Sequence, residues 1–251
     1  MRRAVLVLLL AACLFQGREA LGEATLHGWK HARKYEYINF GQYPQQRDGT
    51  ILPVMWRVLE CENDQALLIS EYVLDAKQVI FESDPAVIAE HSYRKISTFE
   101  ESDLFPWMNT TMRDILFTIS EQQAVIQTPR GQVFFLSRAE YLKPEYGFTA
   151  SVYGIQKRRQ CKPTQYALEQ GVYQDKIGTS GYWTSTVRDP QGHQVQLVGY
   201  DGHLSYAGYT RKDVGLRISC IVDLRQMEIL SGTGIKDDPF QLSIMDASQA
   251  P

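Results

Sequence analysis

The stretch that decides the fold is GYWTSTVRDPQGHQVQLVGYDGHLSYAGYTRKDVGLRISCIVDL, residues 181–224. Its strand-like segments are GYWTST, HQVQLVGY, HLSYAGY and VGLRISCIVDL, and turn residues follow Asp189 and Asp201. Such turns typically join antiparallel strands. From Leu216 to Val222 every second residue is apolar, which gives the last segment one apolar face and one mixed face. The stretch therefore predicts an antiparallel meander.

The Tyr-Trp pair at the start of this stretch precedes three hydroxyl side chains. Large aromatic residues within a strand are most often buried. We expect Trp183 to be a core residue, with Thr184 and Thr186 on the opposite face. Ser185 has neither a G-x-S-x-G elbow nor an identifiable base, so it is not predicted to be a nucleophile.

Upstream of the meander, strands come first and helices follow. Strands are predicted for YEYINFG (35–41), VMWRVLE (54–60) and QALLIS (65–70), with CEND (61–64) as a hairpin loop. A helix capped by Asn109 or Thr110 is predicted from the apolar spacing that ends at Ile119. Strands grouped apart from helices indicate an α+β fold.

Shorter elements are predicted between that helix and the meander. VFFLS (133–137) is expected to be a strand, and Ser137 with Glu140 forms an S-x-x-E capping box. TQYALEQ (164–170) is expected to be a short helix that ends at Gly171.

The N-terminus predicts export. Arg2 and Arg3 precede an apolar run from Ala4 to Phe15, which is shorter than the roughly 20 residues that span a bilayer. This pattern is typical of a signal peptide, here residues 1–22. Leu10-Ala11-Ala12-Cys13 also resembles a lipobox, which would make Cys13 a lipid-modified residue and the only link to a membrane. The lipidated and freely secreted forms remain alternatives.

The remaining chain divides into a loose lead-in (23–34), a single domain (35–225) and a C-terminal appendage (226–251). After export three cysteines remain, an odd number that leaves at least one unpaired. Cys161 and Cys220 are one candidate disulfide, and isolated buried thiols are the alternative.

Several kinds of function have little support in the sequence. The net charge is −3 and the longest basic run is Lys157-Arg158-Arg159, expected to be a solvated loop, so a nucleic-acid partner is not predicted. His27 and His31 are spaced like helical metal ligands, but no third ligand is nearby. Asp237-Asp238 is expected to be a solvated acidic turn. No metal or cofactor is expected, since no motif for one is present.

A resemblance covers most of the chain, from Ile38 to Asp223. The segments that carry it are, in order, INFGQYPQ, MWRVLE, ALLISEYVLD, WMNTTMRDILF, VFFLSRAEY, KPTQYALEQG, YWTST and GLRISCIV. They resemble the motifs FG.YPQ, W.VL, LLIS..ILD, W..S..R.WLN, FLLS..E, PT.YA...G, YWLRS and GVRPA of an uncharacterised bacterial exported-domain family. The resemblance implies structural roles for its matching residues: Trp56, Trp107, Arg113, Trp183, Gly215 and Arg217. The arginine of YWLRS is replaced here by Ser185.

The last two of these segments also resemble the ends of C-type-lectin-like domains in bacterial surface proteins. That similarity implies a lectin-like α+β fold, with short helices packed on a twisted antiparallel sheet and the last strand near the first. The E-P-N and W-N-D motifs of calcium-dependent sugar binding are absent. In such domains the late loops, here 187–193 and 199–213, form the contact surface. The candidate ligand-binding residues are Arg188, His193, Tyr200, His203, Tyr206, Tyr209 and Arg211, of which Tyr206 and Tyr209 are expected to be exposed.

Together these features predict an exported module of the bacterial envelope or cell surface. We expect it to bind a protein or a glycan without catalysing a reaction. The alternatives are an enzyme built on the lectin-like scaffold and a purely structural envelope component. A likeness of fold says nothing physical about function, so the site itself has to decide.

Overall fold

The structure is a computed structural model that describes residues 22–90, 92, 94–189 and 193–245, with only the backbone described at 22, 23 and 189. It contains two β-sheets and several short helices, so the predicted α+β class is confirmed. The signal peptide and Cys13 lie outside the described residues, apart from Gly22.

The strands follow one another along the chain with the helices mostly in the middle. The strands are β1 (Gly22–Glu23), β2 (Glu36–Pro44), β3 (Ile51–Glu62), β4 (Gln65–Ser70), β5 (Asp75–Ala76), β6 (Tyr182–Asp189), β7 (Gln194–Val198), β8 (Leu204–Gly208), β9 (Gly215–Leu216), β10 (Ser219–Asp223), β11 (Met227–Ser231) and β12 (Phe240–Ile244). The α-helices are α1 (Gly28–Ala32), α2 (Pro85–Glu90), α3 (Leu104–Trp107), α4 (Arg113–Leu116), α5 (Ile119–Ala124) and α6 (Gln165–Glu169).

The predicted N-terminal hairpins are present. In the larger sheet the order is β1-β11-β12-β2-β3-β4-β10, and β2, β3 and β4 pair antiparallel in succession. The loop between β3 and β4 contains Asn63 (φ +52°) and Asp64 (φ +59°). Two successive left-handed residues form the type I′ turn that fits a two-residue hairpin.

The predicted meander is present only in part. In the smaller sheet, ordered β5-β9-β6-β7-β8, the strands β6, β7 and β8 pair antiparallel as expected. The last predicted strand is two strands in two sheets, because β9 pairs with β5 and β6 whereas β10 pairs with β4. The chain crosses at Arg217, whose Nε donates to the Ser70 carbonyl at 2.9 Å. The expected return of this strand to the first one is therefore wrong, and β12 is the strand beside β2.

The predicted helix start at Asn109 or Thr110 is wrong. Helix α3 begins at Leu104 and continues through a π-helical turn, Met108–Met112, into α4. The Asn109 side chain accepts from the Gln132 and Val133 amides at 2.8 and 3.0 Å, so it anchors a neighbouring loop. A separate helix, α5, begins after Thr118, so Ile119 is its first residue and does not belong to the preceding helix.

Local capping signals are confirmed, whereas one short strand is not. Ser137 and Glu140 exchange backbone-to-side-chain hydrogen bonds of 2.7 and 3.3 Å and open a 3₁₀ turn, Glu140–Leu142. Thr164 caps α6, and Gly171 follows its end with φ +97°. Residues 133–137 form no regular strand, and Phe134 makes only an isolated bridge to Ser219.

Both ends of the described chain belong to the larger sheet. The expected lead-in contains β1 and α1, and Leu26 is buried. The expected appendage contains β11 and β12, and β12 pairs in parallel with β2. Both segments therefore contribute strands to the larger sheet.

Two clusters of buried side chains meet at the sheets, and β6 contributes to both. Trp183 lies in the larger cluster and Tyr182 in the smaller, and both are 0% exposed. Trp183 is thus a core residue, as predicted. Thr184 lies on the Tyr182 side and is itself buried.

The candidate disulfide is absent. Cys161 and Cys220 are both buried free thiols, and they belong to different clusters. Burial raises the pKa of both thiols, which keeps them protonated and poorly nucleophilic.

The family-like motif residues occupy varied positions. Trp56 is buried and its Nε1 donates to the Phe40 carbonyl at 2.8 Å. A side chain at Gly215 would place Cβ 2.2 Å from Val73 Cγ1, so only glycine fits. Trp107 is partly buried, Arg113 pairs with the adjacent Asp114 on α4, and Arg217 is fully buried.

Candidate functional site

The structure separates the seven predicted ligand-binding residues into four places. Arg188 and Tyr206 lie together on one face of the smaller sheet, Tyr200 and His203 lie at the turn after β7, and His193 and Tyr209 are buried together. Arg211 is exposed and pairs with Asp213. They do not form one continuous patch, because successive strand residues point to opposite faces.

Arg188 and Tyr206 are joined by stacking. The Arg188 guanidinium lies 4.0 Å from the Tyr206 ring centroid and donates to Gln194 Oε1 at 2.8 Å. Gln196 Nε2 donates to the Tyr206 hydroxyl at 2.8 Å. Tyr206 is 37% exposed, as expected, and these contacts hold it against the strands.

His193 and Tyr209 face inward, so the expected exposure of Tyr209 is wrong. Tyr209 is 0% exposed, its ring lies 5.9 Å from the His193 ring, and its hydroxyl donates to the Ile96 carbonyl at 3.4 Å. Its polar neighbours in sequence lie in a turn, which does not determine the direction of its own side chain.

A different surface collects exposed apolar side chains. We call residues 149–158, 173–179 and 199–203 the three-loop surface. Its exposed large side chains are Tyr153 (82%), Ile155 (70%), Tyr173 (52%), Ile177 (56%) and Tyr200 (40%). The Tyr173 and Tyr200 rings are 6.4 Å apart in an edge-on arrangement. Of the seven predicted residues, Tyr200 and His203 belong to this surface.

Hydrogen bonds join each of the first two loops to the third, residues 199–203. Gln156 N donates to the Asp201 carbonyl at 2.9 Å, and the Thr179 hydroxyl donates to the Tyr200 carbonyl at 2.6 Å. A Cβ at Gly202 (φ +87°) would lie 2.3 Å from the Gln156 carbonyl oxygen, so the loops approach closely only because this residue is glycine.

A buried arginine fixes two of these loops, residues 149–158 and 199–203, from beneath. Arg159 is 0% exposed, and its guanidinium donates to the Gly202, Tyr141 and Ser151 carbonyls at 2.7, 2.9 and 2.5 Å. A fourth bond reaches the Thr149 carbonyl at 3.1 Å. A planar guanidinium is well suited to organise several carbonyls at once.

The basic run is therefore not a solvated loop throughout. Lys157 and Arg158 are exposed, but Arg159 turns inward. Sequence reasoning missed Arg159, because nothing in the sequence distinguishes it from the two basic residues before it. Tyr173 was missed because its ring partner, Tyr200, is distant in sequence.

The His203–Asp201 pair shapes the turn after β7. The His203 backbone N–H donates to Asp201 Oδ1 at 3.1 Å, and its ring Nδ1 contacts the same oxygen. Partial burial works against the charged carboxylate, but the hydrogen bonds from His203 outweigh it and lower the pKa of Asp201. The turn thus presents an anion and an imidazole beside Tyr200.

The described residues contain no group of three or more His, Cys, Asp or Glu side chains placed to hold a metal ion. His27 instead contacts Glu36 Oε1 through Nδ1 at 3.1 Å. Within the same residues, no helix has the length and apolar character needed to cross a membrane.

Comparison of the chain with protein-family models, with curated proteins and with solved structures finds no match.

Proposed function

We propose that this protein is an exported, non-enzymatic binding module that holds a partner protein on its three-loop surface. The observation that carries the proposal is the exposure of three tyrosines and two isoleucines on loops that hydrogen-bond to one another. Contiguous exposed apolar side chains mark interaction sites, and tyrosine is enriched at the energetic centres of interfaces.

Preorganisation supports the same proposal. Arg159 and the contact at Gly202 hold residues 149–158 and 199–203 in place, and the Thr179 hydroxyl ties residues 173–179 to them, before any partner arrives. Loops that are already ordered lose less conformational freedom on binding, so more of the contact energy appears as affinity.

A protein fits this surface better than a glycan does. Ile155 and Ile177 are branched aliphatic side chains, which offer a sugar neither hydrogen bonds nor a flat ring. The Tyr173 and Tyr200 rings meet edge-on, which leaves a compact apolar shape rather than an extended stacking platform. Apolar cores with aromatic anchors are typical of protein–protein interfaces.

Export and the lectin-like fold are parts of the same proposal. Export rests on the basic residues and the apolar run before residue 16. The lectin-like assignment is supported by short helices beside mainly antiparallel strands and by loops gathered at the end of the late strands. Mass spectrometry of the native N-terminus distinguishes a lipid-modified Cys13 from a chain that begins at Glu23.

Site-specific photo-cross-linking tests the binding surface. A benzophenone amino acid is introduced at Ile177 and, as a control, at Ile119 on α5, which is 80% exposed. Irradiation in envelope extracts should give a discrete adduct from position 177 only. Adding Tyr173→Ala and Tyr200→Ala should remove that adduct while thermal unfolding stays cooperative.

The alternatives predict other patterns. The same adducts from both positions, or none from either, would contradict the proposed surface, and the absence of adducts would favour a structural envelope component. An adduct that a glycosidase mixture removes and a protease does not would mean that the partner is a glycan.

A further inference from the structure

Strand β8 forms one end of the smaller sheet and pairs only with β7. The ladder continues past both ends of β8, where the Gly199 amide donates to the His203 carbonyl at 2.8 Å and the Tyr209 amide donates to the His193 carbonyl at 3.1 Å. Hydrogen-bonded pairs alternate with unbonded pairs in an antiparallel ladder, so every second residue of β8 directs its backbone groups away from β7. These outward residues are Leu204, Tyr206 and Gly208.

Two of the outward groups have partners within the chain. The Leu204 amide donates to the Val152 carbonyl at 3.1 Å, and the Gly208 carbonyl accepts from the Arg211 amide at 3.2 Å. The Leu204 carbonyl, the Gly208 amide and both backbone groups of Tyr206 have no hydrogen-bond partner among the described residues. The open stretch of the edge is therefore centred on Tyr206, which is 37% exposed.

The sequence of β8 does not protect this edge. Natural edge strands are protected by charged residues, proline or bulges, whereas Leu204–Gly208 reads LSYAG and pairs with β7 without a register shift. The end strand β10 of the larger sheet is covered instead. Ser219 and Phe134 exchange backbone hydrogen bonds of 2.7 and 3.0 Å, and the Ile126 amide donates to the Ile221 carbonyl at 2.8 Å. Strand β8 can therefore accept a further strand.

The open groups of β8 complement themselves. When two antiparallel copies meet on a two-fold axis at Tyr206, each Tyr206 amide faces the Tyr206 carbonyl of the other copy. In the same register each Gly208 amide faces the Leu204 carbonyl of the other copy. The Leu204 amide and the Gly208 carbonyl face each other and keep the partners that they have within the chain. A two-fold contact needs such a surface, because both copies use the same patch.

The charges beside the strand favour the same arrangement. Asp201 lies just before β8, and Arg211 and Lys212 outnumber Asp213 just after it. Antiparallel pairing brings the acidic end of one copy to the basic end of the other, whereas parallel pairing would bring like charges together. The centre of the contact is uncharged.

We propose that two copies of this chain pair through the outer edges of β8, antiparallel and with two-fold symmetry about Tyr206. The contact joins the two smaller sheets into one. It is short, because Val152 and Arg211 already bond to its ends, so we expect a weak dimer with a dissociation constant on the order of 10–100 µM. The edge begins where residues 199–203 end, and the inference does not depend on the function proposed for the three-loop surface.

Concentration is the first test. In sedimentation velocity of the full mature chain, the average mass should rise from one copy toward two between about 5 and about 500 µM, a range that brackets the expected constant. In ¹H–¹⁵N spectra over the same range, the Tyr206 and Gly208 amide signals should shift. Those of Ser205 and Ala207 should shift much less, because these amides point to β7.

A matched pair of variants tests the backbone contact. Tyr206→Pro removes the outward N–H, which has no partner in the chain, and proline is tolerated where an edge N–H faces solvent. Tyr206→Ala removes the same ring but keeps the N–H. We expect dimerisation to weaken at least about tenfold in Tyr206→Pro relative to Tyr206→Ala, because proline blocks strand pairing. Thermal unfolding shows whether both variants fold, and the wild-type amide shifts decide if Tyr206→Pro does not.

Three results would overturn the proposal. One is a mass of one copy throughout the concentration range. Another is equal dimerisation of folded Tyr206→Pro and Tyr206→Ala, which would mean that the backbone of β8 is not the contact. The third is a set of concentration-dependent shifts centred on the three-loop surface, which would mean that the copies meet there.

Discussion

At the residue scale, buried arginines organise the parts of the molecule that matter for binding. Arg159 donates to carbonyls of three separate segments, and the carbonyl of Arg159 itself accepts from the Tyr182 hydroxyl at 2.6 Å. Arg217 in turn donates to the Tyr182 hydroxyl at 3.0 Å. The late-strand core and the loops above it are thus connected through side chains that a sequence reader would place on the surface.

Arg159→Met should destabilise the protein by about 2–4 kcal/mol, because it leaves buried carbonyls without donors. Lys157→Met in the same basic run is the control, since Lys157 is exposed and its loss should change stability by less than about 0.5 kcal/mol. Urea unfolding measures both. Equal stability of the two variants would mean that the Arg159 bonds do not hold the loops.

Glu71 is the buried acid of the larger sheet, and it pairs with Arg57 and with Lys236, the latter at 2.7 Å. Glu71→Gln leaves Arg57 buried without a counter-charge and should cost about 3–5 kcal/mol. Glu169→Gln breaks an exposed pair with Arg47 and should cost less than about 1 kcal/mol. Thermal and urea unfolding at neutral pH compare the two.

The Glu71–Arg57 pair also predicts that the stability of the protein depends on pH in the acid range. Burial alone would raise the pKa of Glu71, but the hydrogen bond and charge of Arg57 outweigh it and the pKa is lowered. A lowered folded-state pKa contributes stability above the unfolded value of 4.5, and the contribution falls as pH drops toward the folded-state pKa. The stability difference between wild type and Glu71→Gln should therefore narrow below that pH. Parallel stability profiles from pH 7 to pH 3 would contradict this.

At the element scale, local signals were predictable and long-range choices were not. The hairpin at Asn63-Asp64 and the caps at Ser137 and Thr164 depend on residues within a few positions of one another. The alternation after Leu216 looks the same whether the chain stays in one sheet or crosses to another. Where the chain crosses between the sheets, the Ser70 and Leu74 amides donate to carbonyls of residues 216–218. The apolar alternation of that segment does not indicate these hydrogen bonds.

The candidate site illustrates the same limit. Tyr200 and His203 could be placed on a late loop from turn residues alone. Their neighbours Tyr173 and Ile177 precede β6, and only tertiary contacts bring them alongside.

The start of α5 offers a test of an element built by local chemistry. Thr118 and Glu121 form a capping box, in which the Thr118 amide donates to Glu121 Oε2 at 2.8 Å and the Glu121 amide donates to Thr118 Oγ1 at 3.3 Å. Thr118→Ala should cost about 0.5–2 kcal/mol of unfolding free energy. Ser120→Ala removes an exposed hydroxyl within the same helix. It should change the unfolding free energy by only about a few tenths of a kcal/mol. Equal costs would show that α5 does not depend on its cap.

At the scale of the whole molecule, the chain that follows Leu224 supplies two strands, β11 and β12, to the larger sheet. Strand β12 lies between β11 and β2, and Lys236 in the connecting loop reaches Glu71 in the buried centre. Removing this segment would expose the unpaired edge of β2 and take away one partner of a buried carboxylate. A sheet that depends on its last strands should unfold together with them.

Truncation tests this dependence directly. A chain that ends at Gln226 should lose cooperative thermal unfolding, whereas a chain that ends at Met245 should unfold like the full protein.

Gly232→Ala tests the same segment without shortening it, because φ is +93° and the new Cβ would lie 2.2 Å from the Pro239 carbonyl oxygen. Gly154→Ala is the control, because Gly154 has a similar φ, +73°, and its added Cβ would contact nothing. Its cost, about 1 kcal/mol, is that of the backbone conformation without a clash. Gly232→Ala should therefore be the more damaging of the two. If both variants melt alike and the chain ending at Gln226 retains the full melting temperature, residues 227–244 are an appendage after all.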